Sequence, residues 1–169
     1  MTISSLTEQM IYYCKGSLHD IEHFLKVWAY ARTIGECEGL DSQTQEILEV
    51  AAILHDIACP MCREKYGSTA KEYQEPEGAI LAAEFLGDRG YPQALADRVV
   101  YLVGHHHTLD QINGMDYQIL VEADYLVNAG KGYEPEKIRY AMEHFFKTKT
   151  GISLLRSIYG VHNREYVKE

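Results

Sequence analysis

The stretch DSQTQEILEVAAILHDIACP, residues 41–60, limits the fold more than any other part of the chain. Asp41 or Ser42 stands in a capping position, and an apolar face runs through Ile47, Leu48, Ala51, Ala52 and Leu54 to His55. Such a helix belongs in a core, yet it ends by delivering His55 and Asp56 side by side, shortly before Pro60 breaks the pattern. Burying two polar groups of this kind is costly unless something pairs with them, and a metal ion is one such partner.

Helical periodicity dominates elsewhere too. SLTE at Ser5–Glu8 is a capping box opening a short first helix. A long amphipathic helix starts at Ser17 and carries Ile21, Phe24, Leu25, Trp28 and Ile34 to Gly39, a glycine where a helix should stop. From Pro60 to Gln74 the periodicity vanishes, which predicts a loop or lid longer than a simple connection needs. A helix then opens with Pro76 in its first turn and runs to about Gly87. Pro92 takes the first position of another, which ends in the triplet His105, His106 and His107. Tyr117, Val121 and Asp124 share a stripe of the next helix, and two more helices fill residues 134–160. No strand-like alternation competes with these signals, so the expected class is all-α, a single-domain helical bundle over residues 1–169.

A chain of 169 residues can build a core without a structural metal, so any metal is expected to serve chemistry. The formal net charge of −9 argues against gripping a nucleic acid duplex by its phosphates. No signal-like N-terminus or run of 18 apolar residues is present, which predicts a cytoplasmic protein that does not engage a membrane. Cys14, Cys37, Cys59 and Cys62 suit reduced thiols. Cys59 and Cys62 have redox or zinc spacing, but no second cysteine pair or neighbouring histidine pair completes a structural set.

What remains is a histidine on the second helix, a His-Asp pair ending the third, a histidine triplet and a late aspartate in an apolar helix. Imidazoles with carboxylates suit divalent ions such as Mn, Fe, Zn, Ni or Mg. In DIEHFLKV, ILHDIA and VEADYLVN, in that order, the chain resembles the HD-domain metal-dependent phosphohydrolase superfamily over roughly residues 17–130. The resemblance implies that His23, His55, Asp56 and Asp124 coordinate one metal within a helical bundle. It also shows departures: HDIACP lacks the Gly-Lys that follows His-Asp in many relatives. Where two-metal relatives carry a further histidine, this chain offers Glu75 or Glu77. His105 and His106 match the later paired histidines, with His107 leaving the register of the triplet open, while His19 is an alternative outer or second-site ligand.

The expectation is therefore a metal-dependent phosphohydrolase acting on a small phosphate ester such as a nucleotide. One ion is held tightly, with His105 or His106 orienting the substrate or protonating the leaving oxygen. Arg63, Lys65 and Lys71, directly after the metal pair, are candidates to close over phosphate. The alternatives are a di-iron oxygenase of the same family and a metal- or nucleotide-binding module without turnover.

Overall fold

The computed structural model describes residues 2–161. Among them are nine α-helices: α1 Ile3–Tyr13, α2 Leu18–Glu38, α3 Ser42–Leu54, α4 Cys59–Tyr66, α5 Lys71–Gly87, α6 Gln93–Val103, α7 Met115–Ala129, α8 Pro135–His144 and α9 Lys149–Tyr159. A 3-10 turn at Leu109–Gln111 lies between α6 and α7, and no strand occurs among the described residues. The fold class is all-α, as the periodicity predicts. No described helix is long and apolar enough to cross a membrane. The outermost residues of the expected domain, 1 and 162–169, lie outside the described residues.

α3 is the axis of the bundle. Every residue from Leu48 to Leu54 is buried, all but Glu49 apolar, and a helix buried on all sides must be enclosed by others. α2 and α7 lie along it and along each other, α6 and α1 cover its remaining faces, and α5 packs on α6. One continuous apolar cluster joins Leu6 near the start to Val161.

Caps fix where the central helices begin and stop. The Asp41 side chain accepts from the Gln43 and Thr44 amides at 3.0 Å each, satisfying donors that α3 leaves unpaired. Gly39 ends α2 in the left-handed conformation, φ 76°, which a glycine adopts without a Cβ penalty. α1 starts earlier than its capping box suggests: Thr2 is the cap, accepting from the Ser5 amide at 3.2 Å, and Ser5 lies inside the helix. Pro92 caps α6 and stands just before its first turn.

Two expectations about residues 60–77 are overturned. The stretch is not a long loop, because residues up to Tyr66 form α4 and Lys71 already begins α5. Buried Cys59 and Cys62 supply the inward face of α4, which a search for larger apolar residues overlooks. Pro76 sits inside α5 rather than in its first turn. An interior proline costs on the order of 3 kcal/mol, and the helix carries it because Gln74 and Glu75, immediately before it, are anchored to the loop after α6.

α7 is pinned at its start and at its middle. Arg98 on α6 donates to both Asp116 oxygens at 2.7 Å, a bidentate pair at the start of α7. Glu122, fully buried, accepts from the Lys147 amide at 2.7 Å and the Thr148 amide at 3.0 Å, so an α7 carboxylate secures the start of α9. Only a glycine fits opposite it, since a Cβ on Gly151 would lie 2.0 Å from a Glu122 oxygen. Asp124, two residues further on, is held by this frame.

Candidate metal centre

Where α2, α3 and α7 pack together, four side chains turn their donor atoms toward one another. His23 comes from α2, His55 and Asp56 from the turn directly after α3, and Asp124 from α7. His23 Nε2 lies 3.2 Å from His55 Nε2, 3.2 Å from Asp56 Oδ2 and 3.2 Å from Asp124 Oδ1. His55 Nε2 is 3.5 Å from Asp56 Oδ2 and 3.6 Å from Asp124 Oδ1.

These separations are a test of whether an ion fits. Nitrogen and oxygen ligands about 2.0–2.2 Å from one ion stand roughly 3.0–3.5 Å from each other, close to what these five pairs show. The tautomer agrees: His55 Nδ1 is 2.8 Å from the Ala52 carbonyl, so its proton sits there and Nε2 presents a lone pair. Asn128 donates to Asp124 Oδ1 at 2.8 Å and steadies the fourth donor.

The electrostatics describe a site that demands positive charge. Burial would push His23 down, but its bonds to Asp124 and Asp56 and their charges lift it to about 9. Burial would likewise raise Asp56, but the charge of His55 and the bonds of His106 and His23 hold it well below the usual carboxylate range. Asp124 is also held low: burial opposes ionisation, and the bond from His23, with His55 alongside, overcomes it. His23 Nδ1 is buried without a hydrogen-bond partner. The ring is held through its Nε2 face.

On its other side Asp56 meets a second group. His106, at the turn after α6, is 3.6 Å from Asp56 Oδ1 through Nε2 and 2.7 Å from the Val103 carbonyl through Nδ1. Gln74 from α5 reaches between them: its Nε2 donates to Asp56 Oδ1 and lies 3.3 Å from His106 Nε2, while Oε1 is 3.2 Å from His107 Nε2. Burial lowers His106 and the neighbouring Asp56 carboxylate raises it, the carboxylate prevailing. Burial and then the charge of His106 press His107 down to about 4, so it is neutral near pH 7. Glu75 shapes this turn, accepting from the His107 amide and the Thr108 hydroxyl, each at 3.0 Å. The Tyr117 hydroxyl binds the His105 and Thr108 carbonyls.

Several sequence candidates lie elsewhere. Glu77 is not at the centre, because Lys65 Nζ at 2.8 Å and the Tyr66 hydroxyl at 2.5 Å occupy its carboxylate. Glu75 serves the histidine turn and is no ligand either. His105 leans on the Tyr101 ring, centroids 4.3 Å apart, with Nδ1 on the Tyr101 carbonyl. Arg63 is paired with Asp20, Lys65 with Glu77, and Lys71 is exposed at the start of α5, so the three cations form no cluster over the centre. His19 is exposed beside Asp20. Gln74 and Asn128 escaped the reading because amides are not titratable. Asn128 had one available signal, its helical i+4 spacing from Asp124.

Two clefts flank the donors. One, of about 200 Å³, has His106, His107 and Asp124 at its base and walls of Leu109, Tyr125, Tyr133, Phe145 and Phe146. The other, of about 310 Å³, lies against His23 and is lined by His19, Lys26, Lys131 and Tyr159. Asp56 is the most open donor, its side chain 24% exposed against 1% for His55.

A family model described as "HD domain" matches residues 20–142. The fold is similar to the crystal structure of a predicted HD superfamily hydrolase from an uncultured Thermotogales bacterium, with a TM-score of 0.65 and 22% identity over 94% of this chain and 83% of that one. No curated protein matches the chain significantly.

Proposed function

The chain belongs to the HD-domain family, and from that premise we propose that it is a metal-dependent phosphohydrolase acting on a small phosphate ester. The observation that carries the reading is the meeting of His23 from α2, His55 and Asp56 from the turn after α3, and Asp124 from α7, with donor atoms 3.2–3.6 Å apart in the pairs given above. They would hold one divalent ion. When bound, that ion supplies Lewis acidity toward a phosphoryl oxygen and lowers the pKa of an attacking water.

The chain's own groups supply the rest. Asp56, on the open side, faces incoming solvent and substrate and can orient the attacking water. His106, at the base of the aromatic cleft, stands where it can orient the substrate. The rings of Tyr125, Tyr133, Phe145 and Phe146 fit a flat organic group such as a nucleobase, and Lys26 and Lys131 beside His23 offer charge to phosphate. The four free cysteines suit a reducing compartment, and this reading places the enzyme in the cytoplasm.

The test is phosphate release from a panel of nucleotides and sugar phosphates by protein loaded with Mn²⁺, Fe²⁺, Zn²⁺, Ni²⁺ or Mg²⁺ in turn. Hydrolysis of at least one ester, abolished by chelation and by Asp56→Ala, is expected. No release from any ester with any of these ions would overturn the reading.

A further inference from the structure

The two oxygens of Asp56 face different neighbours. Oδ2 looks toward His23 and His55; Oδ1 looks toward His106 and Gln74. Asp56, His106 and His107 bring ligand atoms within 4.8 Å of one another, a second set with cation-binding chemistry. Its middle is filled by the carboxamide of Gln74, a residue only 3% exposed.

Every polar atom of that amide has a use. One Nε2 hydrogen goes to Asp56 Oδ1. The other points at His106 Nε2, 3.3 Å away, which presents a lone pair in the neutral ring because Nδ1–H is spent on the Val103 carbonyl at 2.7 Å. Oε1 accepts from His107 Nε2 at 3.2 Å. Turning the amide over would set Oε1 against a carboxylate oxygen and Nε2 against the His107 N–H, so the network admits one orientation. Moving the side chain out would leave the buried His106 Nε2 without a donor and take from Asp56 Oδ1 the one that Gln74 supplies.

We infer that Gln74 takes the place of a second cation: its two N–H groups satisfy Asp56 Oδ1 and His106 Nε2 as an ion would, and keep the centre mononuclear. The inference rests on the metal-centre reading above. A histidine in the same place reverses the chemistry with little change in reach, since its Nε2 is as many bonds from Cβ as that of glutamine. It would offer a lone pair where Gln74 offers two hydrogens.

The experiment uses Mn²⁺ alone as probe. The full chain is equilibrated with excess Mn²⁺ and freed of loose ion by gel filtration, and ions per chain are counted by elemental analysis while the EPR spectrum reports whether they interact. Wild type should hold one ion with a mononuclear spectrum; Gln74→His should hold two with a spin-coupled spectrum. Gln74→Glu, nearly isosteric and also a ligand, should do the same and stands in if the histidine variant does not fold. Two retained ions in wild type would overturn the inference. So would a single ion in a folded variant, judged by circular dichroism. No ion in wild type would remove the metal-centre reading itself, a result distinct from one ion in every form.

Discussion

Asp56 divides the centre into two halves built from the same kinds of residue. Toward Oδ2 the neighbours are His23, His55 and Asp124, with the two carboxylates sharing the single Nε2 of His23. Toward Oδ1 they are His106 and His107, with the Gln74 amide placed between. Ligand-type residues are thus not enough to make an ion site. What separates the halves is a neutral side chain that meets the hydrogen-bonding demand of one and leaves the electrostatic demand of the other unmet.

The contrast breaks most readily at Asp124. Asp124→Ala should lower metal affinity by two orders of magnitude or more, beyond the roughly 10–100-fold typical of losing a contact behind a ligand. Full metal content after dialysis in that variant would show that the two halves do not differ as described. His106→Ala should leave the ion count unchanged yet reduce kcat by about 10–100-fold, the size of a lost positioning contact beside the ligands. If metal is lost as well, His106 belongs to the first half.

Smaller effects sharpen the boundary. Glu75→Ala removes the acceptor for the His107 amide and the Thr108 hydroxyl, and should lower kcat by about threefold to tenfold with metal content intact. An unchanged kcat would mean the histidine turn keeps its shape without α5. Smallest of all, Arg63→Ala and Lys65→Ala break exposed pairs and should change KM by less than about twofold. A large rise in KM would restore these cations to substrate binding.

How much of this was legible in the sequence varies by half. The His-Asp end of α3 stood out because adjacent ligand residues on an apolar helix need a reason to be there. Asp124 stood out through its stripe with Tyr117 and Val121. The Gln74 half was hidden by a local signal that the tertiary structure overrides: Pro76 reads as a helix start, which places Gln74 in a loop, whereas α5 begins at Lys71 and brings Gln74 inward. Glu75 and Glu77 drew attention as carboxylates, yet each is consumed by neighbours from outside its own helix. Glu122 went unread for a similar reason, since its partners are backbone amides 25 and 26 residues away.

His55 and His106 share one device: each gives its Nδ1 proton to the carbonyl three residues back, at Ala52 and Val103, where a helix is ending and carbonyls lack partners. The same proton that completes the helix terminus freezes the ring and selects its tautomer. The ordering entropy of these rings is therefore spent during folding, and capturing an ion need not spend it again. Arrival of metal is in this respect separated in time from the making of its ligands, and an isotope-labelled, metal-free sample should already show both rings protonated at Nδ1 alone whenever they are neutral.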